Sequence, residues 1–164
     1  MKHIISALVE NQPGVLARVI GQISGRGFNI HSLNVAPTQD VTTSRITMVV
    51  PGNDRVLEQV TKQLNKMVDV IKVSDLTSEK FVDREMVIIK LAVTPKTRSA
   101  VIELASLFGA QILIVQNKSL TVQITDSTEK VNSFLELVKA HGILDISRTG
   151  VIAMKKVDNT DATG

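Results

Sequence analysis

Apolar positions in this chain recur with two periods, and the switches between them mark out the elements. Ile4 to Val9 is a short apolar run that stops at Glu10-Asn11-Gln12-Pro13-Gly14, after which Val15, Leu16, Val19, Ile20 and Ile23 recur at helical spacing. This predicts a strand, a tight loop and a helix from Gly14 to about Arg26, closed by Gly27. Phe28 to Ala36 reads as a strand, Pro37 to Thr43 as a polar turn and Ser44 to Val50 as a second strand, so the pair forms a hairpin. Beyond Pro51-Gly52, the positions Val56, Leu57, Val60 and Leu64 mark another helix, capped by Asn53 or Asp54, and Met67 to Val73 returns as a fourth strand.

From Ser74 to Arg84 the chain turns polar and charged, the composition of a linker. The pattern then begins again. Val87, Ile89, Leu91 and Val93 alternate with their neighbours, Lys96 to Phe108 reads as a helix ended by Gly109, and Gln111 to Val115 and Leu120 to Thr125 form two strands. Val131, Phe134, Leu135 and Val138 follow at helical spacing, with Ser127 or Thr128 as the cap, and Ile143 to Met154 holds the last strand. The chain is therefore two βαββαβ units in tandem, a repeat of architecture and not of sequence. Each half is about 75 residues, a size at which a sheet with both helices on one face has only a marginal core. The open face and the edge strand need cover, so a homodimer formed by side-by-side sheet pairing of the first halves is expected.

Composition narrows the chemistry. With 164 residues and 43% hydrophobic positions the chain is of ordinary globular type, and no apolar run approaches the roughly 20 residues of a membrane span. Met1-Lys2-His3 is not followed by the apolar region of a signal peptide, and a cytoplasmic location is expected. There is no cysteine, which excludes disulfides, thiolate nucleophiles and zinc-thiolate sites. The net charge of +3 comes from basic residues interspersed with acidic ones, and Phe28, Phe81, Phe108 and Phe134 are the only aromatics, so the rings that stack bases in RNA-binding sheets are missing. His3, His31 and His141 lie far apart with no metal-ligand spacing, no serine stands in a nucleophile elbow, and Gly25-Arg26-Gly27-Phe28 lies at a helix end where it cannot cradle phosphate. A binding module is favoured over an enzyme.

One loop stands apart. Pro13 suits a first helical position, Gly14 adds no side chain, and the free amides of a helix mouth favour an anion. The side-chain amides of Asn11 and Asn29 both donate and accept, so the loop with Asn29-Ile30, from the same or a neighbouring subunit, is suited to an amino acid's carboxylate and ammonium groups. Val15, Leu16, Ile30 and Leu33 are placed to enclose an aliphatic side chain. The alternative is that Asn11 or Gln12 merely caps the helix. In the second half the equivalent stretch is Thr94-Pro95-Lys96-Thr97, without the amide or the glycine, so a ligand site is expected only in the first.

Val9-Glu10-Asn11-Gln12-Pro13-Gly14-Val15-Leu16-Ala17-Arg18-Val19, Arg26-Gly27-Phe28-Asn29-Ile30, Ser32-Leu33-Asn34-Val35-Ala36-Pro37-Thr38 and Ser44-Arg45-Ile46-Thr47 resemble the regulatory small subunit of acetohydroxyacid synthase, also called acetolactate synthase. Asp83-Arg84-Glu85, Leu107-Phe108-Gly109-Ala110 and Arg148-Thr149-Gly150 resemble its second domain. The resemblance implies an α+β protein of two tandem ferredoxin-like domains: an amino-acid-binding ACT domain over 1–76, a linker over 77–83, a C-terminal domain over 84–156 and a flexible tail over 157–164. It implies a non-catalytic chain that binds and activates the thiamine-diphosphate-dependent catalytic subunit and confers feedback inhibition by valine or a related branched-chain amino acid. Thiamine diphosphate, magnesium and FAD belong to the catalytic subunit, and this chain takes only the amino acid. The implied effector site lies between two ACT domains, with Asn11, Gln12, Pro13, Gly14, Val15 and Leu16 from one subunit and Asn29 and Ile30 from the other. His31 stands where an acidic residue is common in the family, and Ile114 where an Asp is common.

Overall fold

The computed structural model describes residues 1–157, so the expected tail lies outside the described residues apart from Val157. Packing divides the described residues into two compact units, one of Met1–Val82 together with residues 151–157, the other of Asp83–Gly150. The first unit contains β1 (Lys2–Glu10), α1 (Val15–Ser24), β2 (Ser32–Pro37), β3 (Thr43–Pro51), α2 (Asp54–Asn65) and β4 (Val70–Asp75). Its strands pair antiparallel in the order β2-β3-β1-β4, the expected ferredoxin-like arrangement. Alternation along β1 and β3 sends Ile5, Ala7, Val9, Ile46, Met48 and Val50 to the face covered by Val15, Val19 and Ile23 of α1 and Val60 and Leu64 of α2. Asn53 caps α2, its side chain accepting from the Val56 amide. His3, expected at the surface or partly buried, is 2% exposed, with Nε2 donating to the Gly52 carbonyl.

Two stretches of the first unit depart from the sequence pattern for local reasons, while its fourth strand begins at Val70 and not at Met67. The strand expected from Phe28 begins only at Ser32, because α1 ends at Ser24 and the chain then closes through Gly27 at φ 80° into a loop whose Phe28 and Ile30 pack on the core. The stretch expected as a linker is built into the first unit. Leu76 is 2% exposed, its amide donates to the Ile4 carbonyl, and the Thr77 hydroxyl accepts from the Ile4 amide.

The second unit repeats the design with β5 (Phe81–Ala92), α3 (Arg98–Leu107), β6 (Gln111–Val115), β7 (Ser119–Asp126), α4 (Thr128–Val138), a 3-10 turn (Lys139–His141) and β8 (Ile143–Arg148), in the order β6-β7-β5-β8. Val87, Ile89, Leu91, Leu120, Val122 and Ile124 face Val101, Ala105, Val131, Phe134 and Val138, and the rings of Phe108 and Phe134 lie 5.4 Å apart. Ser127 caps α4. The single last strand expected over Ile143 to Met154 is two, β8 and β9 (Ile152–Lys155), separated at Gly150 with φ 81°.

The segment after Gly150 closes back on the first unit. Val151 and Ala153 join Val49 and Leu76 in a small second core, with Ile4 and Phe81 packed against it. Because successive residues of a strand point to opposite faces, Ile4 and Val49 lie on the side of the first sheet away from α1 and α2. Part of the face expected to need a partner is thus covered by this chain's own β9 segment.

Candidate functional site

β1 delivers the chain to the loop at Asn11, and the loop is fastened sideways. The Asn11 amide donates to the Thr42 carbonyl at 2.8 Å and its Nδ2 to the Val41 carbonyl at 2.8 Å, so Asn11 ties the loop to the β2–β3 turn and does not cap the helix. The turn is itself held by Asp40, whose carboxylate accepts from the Thr42 hydroxyl at 2.6 Å and the Thr42 amide at 2.9 Å. Those two bonds hold the Asp40 carboxyl below its ordinary value.

Pro13, expected at the first helical position, lies instead in the turn before it, and Gly14 is the N-cap. Gly14 is left-handed, φ 83° and ψ −7°, a conformation that ends the turn and is costly to a residue with a Cβ. Among the described residues no side chain caps α1. The Val15 amide reaches the Gln12 carbonyl at 3.3 Å and Arg18 that of Gly14 at 3.0 Å, while among the described residues the amides of Leu16 and Ala17 have no backbone acceptor. One turn on, Arg18 extends back over the mouth and pairs with Asp69 at 2.9 Å; a Cβ on Gly14 would stand 3.0 Å from its Nη1. Spare amides, the helix dipole and a held guanidinium make this mouth suited to a carboxylate.

The eight expected site residues fall into two groups. Asn11, Gln12, Pro13 and Gly14 are exposed at the mouth, Leu16 is half-buried beside it, and Val15 is 2% exposed, packed in the core. Asn29 and Ile30 lie in the loop after α1, Asn29 exposed and Ile30 half-buried. The groups lie before and after α1, whose ten residues span about 15 Å. His31 is beside the second group, its amide bonded to the Val49 carbonyl and its Nε2 accepting from the Lys2 ammonium at 3.1 Å. Arg18 and Asp69 were not singled out from the sequence, although Arg18 stands four residues after Gly14 and therefore on the same helical face.

The equivalent place in the second unit is closed by its own side chains. The Thr94 amide donates to the Thr97 hydroxyl at 2.8 Å and the Thr97 amide to the Thr94 hydroxyl at 3.3 Å ahead of α3. The other sequence motifs of that unit are structural. Arg148 meets the buried carboxylate of Glu85 through Nε at 2.6 Å and Nη2 at 3.0 Å, which raises the guanidinium pKa, and Asp83 accepts from the Thr128 amide at the start of α4. Among the described residues no group of three or more His, Cys, Asp or Glu gathers to hold a metal, and no helix is long and apolar enough to cross a membrane.

Two family models match successive parts of the chain. Residues 5–72 match the family described as AHAS small subunit-like ACT domain, and residues 84–157 that described as small subunit of acetolactate synthase. A probable acetolactate synthase small subunit of Archaeoglobus fulgidus is 47% identical over 154 residues, covering 94% of this chain and 96% of the relative. The acetolactate synthase small subunit of Haemophilus influenzae is 41% identical over 157 residues, covering 95% and 96%. The crystal structure of the Thermotoga maritima small subunit superposes with a TM-score of 0.85 at 33% identity, covering 96% of this chain and 99% of that one.

Proposed function

The chain belongs to the acetolactate synthase small-subunit family, and from that premise we propose that it binds and activates the catalytic subunit and makes it sensitive to valine or a related branched-chain amino acid. The observation that carries the effector reading is the uncapped mouth of α1. Gly14 leaves the space open, the Leu16 and Ala17 amides are unclaimed among the described residues, and Arg18 supplies positive charge, whereas the matching mouth in the second unit is closed by Thr94 and Thr97. The effector's carboxylate binds there, and Leu16 contributes to an apolar wall.

Asn29 and Ile30, beyond the other end of α1, complete a site only if a second copy brings its own pair to the mouth. The effector therefore sits between two ACT domains and is read by both. It shifts the catalytic subunit's activity only through its different affinity for two arrangements of that pair; a coupling of about 1 to 3 kcal/mol corresponds to roughly 5- to 150-fold. Burial is worth about 0.8 kcal/mol per methylene, so valine is separated from alanine more sharply than from isoleucine.

Calorimetric titration of the full chain with valine, leucine, isoleucine and alanine tests this. Saturable binding of a branched-chain amino acid that disappears in Gly14→Asp is expected, together with activation of the catalytic subunit that survives the substitution. Unchanged binding in Gly14→Asp would remove the mouth of α1 from the site.

A further inference from the structure

On the side of the first sheet away from α1 and α2, beyond the part covered by Val151 and Ala153, lies a cavity of about 290 Å³ lined by Ser6, Leu8, Arg45, Lys72, Ser74 and Lys155 among others. Its floor follows from strand register. Leu8 of β1 pairs with Arg45 of β3 on one side and Lys72 of β4 on the other, so the two cations flank one leucine across two strand spacings, about 10 Å. One step along, Ser6 pairs with Ser74. Lys155 of β9 supplies a third cation, and Leu76, Ala153 and Met154 an apolar side. Among the described residues no carboxylate lines the cavity.

The polar groups are only partly used. Arg45 Nη1 donates to Ser6 Oγ at 2.8 Å, which fixes the guanidinium. Ser6 is 3% exposed, and its hydroxyl proton has no acceptor among the described residues. Lys155 pairs with Glu79 at 3.0 Å, while Lys72 has no hydrogen-bond or ion-pair partner among the described residues. Like charges gathered on one concave surface repel, and an anion between them relieves the repulsion.

We propose that this cavity is a second binding site, for a small organic anion carrying at least two negative charges, held between Arg45, Lys72 and Lys155 with its uncharged part against Leu8, Leu76 and Met154. Ser6 donates to one of its oxygens. The site is on the opposite face of the sheet from the mouth of α1, so its occupancy and that of the effector site are separable.

The test is calorimetric titration of the full chain with pyrophosphate and, separately, citrate, at about 0.15 M salt so that diffuse surface attraction is screened. One saturable event per chain with at least one probe is expected, weakened at least tenfold in Lys72→Gln and in Arg45→Gln. Lys72→Gln should melt at the wild-type temperature without ligand, since that side chain is exposed. Ser74→Phe, which fills the cavity without removing a charge, should abolish binding. No saturable binding of either probe, or equal binding in Lys72→Gln and Ser74→Phe, would overturn the proposal. Preference between the probes tells whether a phosphate or a carboxylate head is favoured.

Discussion

Gly14 carries two demands at once, a left-handed backbone and an empty place beside Arg18. Substitution separates them. Gly14→Ala should lower stability by about 1 to 2 kcal/mol, chiefly through the backbone, measured by denaturant unfolding, with effector binding weakened but present. Gly14→Asp should cost no more in stability, because Asp tolerates the left-handed region and the atom it meets is the far end of a flexible Arg18, yet it puts a carboxylate where the ligand's belongs. If the two variants lost binding equally, the backbone and not the charge would be the cause. Asp40 acts through the turn that anchors Asn11. Its folded pKa is depressed, so its contribution is fully present above the ordinary value of 3.8 and is lost as pH falls through the lower folded value. Acidification through that window should lower the protection of the Asn11 and Thr42 amides relative to their intrinsic exchange rates at the same pH. In Asp40→Asn the exchange there should be faster at neutral pH and should lose this acid step.

At the scale of elements, the pair of Glu85 and Arg148 joins β5 to β8. Glu85 is 3% exposed and Arg148 41%, so removing the arginine strands a buried carboxylate, and Arg148→Met should cost about 3 kcal/mol in denaturant unfolding. A loss below about 1 kcal/mol would mean that water replaces the guanidinium. The β9 segment is a second such join. Val151→Asp places a charge among Ile4, Val49, Leu76 and Phe81 and should lower the melting temperature by several degrees, while Ile152→Asp, on the exposed side, should not.

Elements whose apolar period matches their own burial were legible in the sequence. Leu120, Val122 and Ile124 alternate and all three are buried; Val131, Phe134 and Val138 are spaced as a helix and are buried in one. What was not legible depends on distant partners. Phe28 and Ile30 are apolar because a loop packs on the core, so their pattern imitated the start of a strand. The apolar run from Ile143 to Met154 serves two units and hides the break at Gly150. At the candidate site, Asn11 and Gly14 could be read from turn chemistry, but Arg18 and Asp69 meet only in the folded chain.

For the whole molecule, the decisive feature is that Asn29 and Ile30 stand at the far end of α1 from the loop over Asn11 to Leu16. Binding should then be a property of a pair of chains, with the affinity for effector falling as the chain is diluted below its dimer dissociation constant. Asn29→Ala should weaken effector binding more than it lowers the melting temperature, since this exposed side chain has no hydrogen bond among the described residues. A matching loss of stability would mark Asn29 as structural.

The most direct test combines the two lesions in different chains. A purified heterodimer of one Gly14→Asp chain and one Asn29→Ala chain places both defects in one shared site and leaves the other site with an intact loop and an intact Asn29. Calorimetry with the preferred branched-chain amino acid should show near wild-type affinity at about half the wild-type stoichiometry, although each homodimer binds poorly. No recovery in the heterodimer would contradict a site shared between two ACT domains.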